Sequence, residues 1–237
     1  MLAATQSNLF DMKVTTIVSL LLTGIGATVI ATAAPASATT FGFNNITGGD
    51  SSTVGDAYAP NFSFDVTDNG GGKVLFKFLN NASSTQALKQ VAFSVDSTVS
   101  GILSNIAVNV GNSGTVEFQN NAQNLSQSKN ISGWDDTTFG ADTKGGNGNA
   151  VQSGESLGIT FTGNYNAVIA AINAGTLQVG IHVGSLPGGY SDSYVSTPAS
   201  KSVPEPSALF GIGLVFGLAS LSKANNDKKW KQKQINA

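Results

Sequence analysis

Between Asn61 and Val195 the chain keeps placing apolar side chains at every second position, and this period limits what it can fold into. In "NFSFDV" Phe62, Phe64 and Val66 alternate, and in "VLFKFL" Val74, Phe76 and Phe78 do. "VAFSV" (Val91, Phe93, Val95), "NIAVNV" (Ile106, Val108, Val110), "TVEFQ" and "SLGITF" continue the pattern. In "TLQVGIHV" Leu177, Val179, Ile181 and Val183 share one face, and "SDSYV" closes the series. A period of two puts alternate side chains on opposite faces of a strand, so each stretch predicts a half-buried strand. Between the first two, Asn69-Gly70 predicts a hairpin turn. One stretch leaves the period: Val168, Ile169 and Ile172 within Asn166–Gly175 fall at helical spacing, with Asn166 read as the N-cap and Gly175 as the C-cap. The expected fold class is therefore mainly β, an antiparallel β-sandwich of jelly-roll type with one short helix. No fixed-period repeat argues for a solenoid. There is no cysteine, so no disulfide holds this core. A domain of roughly 160 residues buries enough surface to fold without one.

The stretch Asn120–Ala150 is poor in apolar residues and reads as a long loop, with Trp134 and Phe139 folding it back onto the core. Asp135, Asp136 and Asp142 cluster in it, and "GGNGNAVQ" resembles a single calcium-binding nonapeptide. Such units work in arrays, so the expectation is a solvated acidic loop and no metal site.

Both ends are apolar. Lys13 precedes an apolar run from Val14 to Ile30, and Ala36-Ser37-Ala38 supplies the small-x-small pattern read by signal peptidase. This predicts a signal peptide over residues 1–38, helical in its apolar part. At the other end Ser207–Ser222 forms an apolar run of roughly 24 Å as a helix, against a hydrocarbon core of ~30 Å. Lys223, Lys228, Lys229, Lys231 and Lys233 follow it. Cations flanking a span stay on the cytoplasmic side, so Lys13 and the lysine tail both place residues 39–202 outside the cytoplasmic membrane.

The order Val203-Pro204-Glu205-Pro206-Ser207, then a short Gly/Leu-rich run, then a basic tail resembles the PEP-CTERM sorting signal of Gram-negative bacteria and cyanobacteria. The resemblance covers residues 203–233 and implies a location. In that family an exosortase cuts at the Pro-Glu-Pro motif and the product goes to the cell surface or the medium, often alongside exopolysaccharide. It implies exosortase and signal peptidase as processing partners, and the cytoplasmic membrane as a transient one. The domain plan is a signal peptide over 1–38, an ectodomain over 39–196, a linker over 197–202 and a sorting signal over 203–237. Within the last, the motif is 203–207, the transmembrane helix 207–222 and the basic tail 223–237. Proline fixes its own φ and extends its predecessor, so Val203 and Glu205 form an extended segment around one carboxylate, suited to a protease cleft.

The composition removes several function classes. Residues 39–202 hold eleven acids and six lysines, net -5, and no arginine, which disfavours nucleic acid. Gly154-Glu155-Ser156-Leu157-Gly158 matches G-x-S-x-G, but a polar loop precedes it and a strand follows, where a nucleophile elbow needs strand then helix. His182, the sole histidine, is expected opposite the apolar face of its strand, facing solvent or hydrogen-bonding a loop, without a positioned acid. No catalytic residue, cofactor or metal is assigned. The reading is an exported, non-catalytic cell-surface or extracellular-matrix protein. The alternative is a carbohydrate-binding module for exopolysaccharide, with Trp134, Tyr190 or Tyr194 stacking on sugar rings; a secreted hydrolase comes third.

Overall fold

The computed structural model describes residues 38–50 and 52–197, and the backbone of 201–203. The predicted signal helix, the C-terminal transmembrane helix, Ala36, Pro204, Glu205 and Pro206 lie outside the described residues. Among the described residues, no helix is long and apolar enough to cross a membrane.

The fold is mainly β, with antiparallel pairing throughout. The strands are β1 (Ala38–Asn45), β2 (Phe62–Asp68), β3 (Lys73–Asn80), β4 (Ala87–Val95), β5 (Ser104–Val108), β6 (Phe118–Asn120), β7 (Phe139–Thr143), β8 (Ser156–Thr162), β9 (Leu177–Gly184), β10 (Asp192–Ser196) and β11 (Lys201–Val203). One α-helix, α1 (Tyr165–Ala174), joins β8 to β9. The strands form one sheet in the order β5-β8-β3-β2-β1-β10-β9-β4-β7-β6, with β11 on β1. β1 makes this continuity: its first residues pair with β2 and Phe43–Asn45 pair with β10.

The sheet folds over on itself so that its two halves face each other. Phe93 of β4 meets Phe76 of β3 at 5.2 Å and Phe161 of β8 at 5.0 Å, edge to face in both cases. Phe139 of β7 meets Phe161 at 5.2 Å. Edge-to-face contact sets the positive rim of one ring on the negative face of the other. The far edges are joined by a side chain: Asn109 donates Nδ2 to the Phe118 carbonyl (2.7 Å) and accepts its N–H on Oδ1 (2.9 Å). The result is close to a closed barrel.

The alternating residues behave as their period requires. Phe62, Phe64, Val66, Val74, Phe76, Phe78, Leu177, Val179, Ile181 and Val183 are all buried. Ile106 and Val108 are only partly covered, because β5 is an edge strand with one neighbour. The Asn69-Gly70 turn does join β2 to β3, with Gly70, Gly71 and Gly72 all at positive φ and the Gly70 N–H donating to Asp68 Oδ1.

Three strands escaped the periodic reading. β1 begins at the expected signal-peptidase boundary, and β7 lies inside the segment read as a long loop. β11 spans the end of the expected linker and Val203. One cap differs as well: Asn164, not Asn166, caps α1, accepting the Ala167 N–H at 3.0 Å, while Gly175 ends it at φ 73°. The helix starts two residues earlier than a cap at Asn166 would set it, and the side chain that reaches a free N–H decides the start.

Candidate functional site

The outward side chains of β9 are Gln178, Gly180, His182 and Gly184, opposite its core face. Two glycines in four leave a flat strip; the chain between β6 and β7 covers Gly180, and the Lys89 side chain covers Gly184. A Cβ on Gly180 would overlap Leu125 and come within 3.0 Å of the Trp134 ring. Leu125 joins Ile46, Ala92 and Ile131 in a second apolar cluster, with Trp134 and Val195 packed against it. Polar ties hold this segment down. Gln178 Nε2 donates to the Ser132 carbonyl (2.9 Å), Gln90 Nε2 to that of Gln123 (3.0 Å), and the Asp135 N–H to Ser94 Oγ (3.3 Å). The expected fold-back is present, and the two aromatics divide: Trp134 rests on the outer face of the sheet, while Phe139 enters the main core.

Between this segment and the loop after β1 lies a groove of about 620 Å³. Its lining includes Trp134, the amides of Asn124, Gln127 and Asn130, Lys129, Gly49, Asp135 and Asp136. Trp134 is half-buried, and its Nε1 proton has no partner. An indole, several amides, two exposed carboxylates and one ammonium converge on one concavity. That mixture offers an apolar platform with donors and acceptors around it, matching the apolar faces and hydroxyl rims of sugars.

The other predicted sugar platforms are corrected or displaced. Tyr194 is fully buried on β10 and donates its hydroxyl to the Gly55 carbonyl at 2.8 Å, so it cannot stack on a ligand. Burial and the nearby Asp192 carboxylate raise its phenol well above the ordinary range. The alternation placed Tyr194 with Asp192 on one face, but only tertiary structure covers that face. Tyr190 is exposed but is not among the walls of the groove. Asp142 also parts from Asp135 and Asp136: it sits half-buried on β7, bonded to Asn121 Nδ2 and shifted upward by burial. In the nonapeptide-like stretch, Asn147 and Asn149 donate to Ser185 Oγ and the Lys144 carbonyl.

Ser156 begins β8, is 2% exposed and shares a hydrogen bond with Ser113 Oγ at 2.9 Å. His182 neither faces open solvent nor bonds a loop; its partner is on the neighbouring strand. It is half-buried, with Nδ1 3.0 Å from Ser193 Oγ on β10. Burial, aided by the charge of Lys89, pulls its pKa below the ordinary value and favours the neutral ring. Ser193 is completely buried, and its N–H is shared between Asp192 Oδ1 (2.8 Å) and Gln127 Oε1 (3.1 Å). Sequence inspection missed this serine–histidine pair because the two residues meet only through the β9–β10 register, Ser193 opposite His182.

Of the processing positions, Ala38 opens β1 and Val203 ends β11, and the two are register partners. No family model, curated protein or solved structure matches this chain.

Proposed function

We propose that this chain is an exported, non-catalytic cell-surface or extracellular-matrix protein, delivered by its N-terminal signal and sorted by exosortase cleavage at Val203-Pro204-Glu205-Pro206. The observation that supports this best is the Ala38–Val203 pairing, which brings the two expected processing points to one sheet edge. A domain released at both points would keep its closing strands. The ectodomain is read as a jelly-roll-type sandwich. What supports that is the ribbon path: β3 pairs β8 and β4 pairs β7, while the β3–β4 and β7–β8 connections each pass between the facing halves. Intact-mass measurement of the protein from its native host tests the sorting. The expected product runs from near Thr39 to 204–206. Replacing Pro204, Glu205 and Pro206 with alanine leaves full-length protein in the cytoplasmic membrane. Surface protein that still carries Lys228–Lys233 would overturn the proposal.

The groove beside Trp134 favours a second reading, in which the same exported domain binds exopolysaccharide. Trp134→Ala is then expected to lower retention on the host's polysaccharide at least tenfold, with the far-ultraviolet dichroism unchanged. Equal retention by wild type and variant removes this reading and leaves the first untouched.

A further inference from the structure

Three carboxylates gather where the loop after β1 meets the start of β10. Asp50 lies in the loop after β1, Asp56 opens the 3-10 turn Asp56–Asn61, and Asp192 opens β10. One oxygen of each lies within 4.8 Å of the others. Among the described residues this is the one such acidic group, and the only ion pair, Lys144 with Glu117, is elsewhere.

An acidic cluster alone says little, since exposed carboxylates gather on many surfaces. Asp192 is different. It is 3% exposed, its Oδ1 accepts the Ser193 N–H at 2.8 Å, and the Gln127 side chain also favours its charged form. Its Oδ2 is buried and has no hydrogen-bond partner. A buried carboxylate oxygen with no donor, next to two further carboxylates, is strongly unfavourable unless a positive charge reaches it. The surroundings are built around it. Gly55 has an ordinary helical backbone, with φ -73°, so glycine is not required there by conformation. It is required by space, because a Cβ at Gly55 would overlap the Asp192 carboxylate. The Gly55 carbonyl accepts both the Tyr58 N–H (2.9 Å) and the Tyr194 hydroxyl (2.8 Å), which locks the loop in place.

We infer that Asp50, Asp56 and Asp192 form a binding site for a hard divalent cation, with calcium the best fit. Calcium takes six to eight oxygens at about 2.3–2.6 Å, so two ligands on opposite sides of it stand about 4.8 Å apart, which spans this trio. The donor set is all carboxylate, with neither the nitrogen nor the sulfur that zinc favours. Three carboxylates used singly or in pairs provide three to six oxygens, and solvent on the exposed side of Asp50 and Asp56 completes the shell. The Asp192 carboxyl is shifted upward, chiefly by burial, against the hydrogen bonds from Ser193 and Gln127 and with a smaller push from Asp50 and Asp56, and protons and a metal compete for the same negative charge.

The test is thermal unfolding of the EDTA-stripped full chain, with calorimetric titration of CaCl2. At 5 mM CaCl2 the expected rise in Tm over EDTA is about 5–10 °C, corresponding to a Kd near 50 µM, with one ion per chain. Asp50→Asn and Asp56→Asn change exposed residues, so both variants are expected to fold, and each should weaken binding at least tenfold. Asp192→Asn should abolish the calcium-dependent rise while leaving the Tm in EDTA equal or higher. A wild-type Tm that moves no more in CaCl2 than in NaCl of equal ionic strength overturns the inference. So does an undiminished rise in the Asp50 and Asp56 variants.

Discussion

Replacing Asn80 with alanine should test how the chain crosses from one half of the sheet to the other. Asn80 ends β3, is 1% exposed and serves the crossover to β4 with its whole amide. Its Nδ2 donates to the carbonyls of Gln86 (2.7 Å) and Val151 (2.9 Å), and its Oδ1 accepts the Ala82 N–H (3.0 Å). The three losses are unequal. The Val151 carbonyl keeps the Leu88 N–H at 3.1 Å, so its loss is worth about 1 kcal/mol. The Ala82 N–H and Gln86 carbonyl lose their Asn80 partner in a buried setting, at about 1–3 kcal/mol each. The sum is about 3–7 kcal/mol, a large share of the ~5–15 kcal/mol that holds a typical domain. Urea unfolding of the full chain, followed by Trp fluorescence and by far-ultraviolet dichroism, measures it. The midpoint should fall sharply with an unchanged slope. Asn80→Asp keeps the acceptor for Ala82 but turns an oxygen toward two carbonyls, so it should regain stability as pH falls and the carboxyl protonates. A loss under 1 kcal/mol for Asn80→Ala would show that water replaces the amide, and the argument from buried unsatisfied groups would fail.

Gly180→Ala places a methyl against Leu125 and the Trp134 ring, and overpacking of this kind costs about 1–3 kcal/mol. In a Trp230→Phe background the Trp134 emission should shift toward the red while the dichroism holds, and an unchanged spectrum would refute the packing. His182 has its pKa lowered by burial from an ordinary value of 6.5, so the folded state binds fewer protons than the unfolded one below neutrality. Its contribution is complete above pH 6.5 and is lost as pH falls toward the lowered value. His182→Gln should therefore flatten the decline of Tm between about pH 7.5 and 5, and an identical decline would place the proton uptake elsewhere. Ser156→Ala removes the bond to Ser113 and should cost about 1 kcal/mol in the same urea assay, without altering polysaccharide retention. Tyr194→Phe should cost about as much, because the Gly55 carbonyl keeps the Tyr58 N–H.

The strands that alternate apolar and polar residues were legible in the chain because a strand's side-chain period depends on no partner. Phe62, Phe76, Val179 and their neighbours point inward in any sheet that buries one face, and the Asn69-Gly70 turn is a local matter of positive φ. β1, β7 and β11 were not legible. "ATTFGFNN" carries only two large apolar residues, and "FGADT" hides in a polar stretch. Backbone ladders hold them, β1 to β2 and β10, β7 to β4 and β11 to β1, and the sequence of a segment carries no record of its ladder partner. The reading of Tyr194 as an exposed platform failed for the same reason. The direction of Tyr194 is set by the β9–β10 register, which puts it opposite core-facing Ile181 and against Phe62, whereas the 121–138 segment covers the opposite face of β9. Trp134 was legible as an aromatic folding back, but its place over Gly180, between amides and carboxylates, came only with that packing. The Asp50–Asp56–Asp192 group is the extreme case. Its members lie up to 142 positions apart (192 − 50), and nothing local distinguishes Asp192 from any aspartate beginning a strand. The closed sheet brings β10 beside the β1–β2 loop, and burial then leaves one carboxylate oxygen without a donor. Side-chain period is a property of each strand alone, whereas burial and charge convergence belong to contacts between segments distant in sequence.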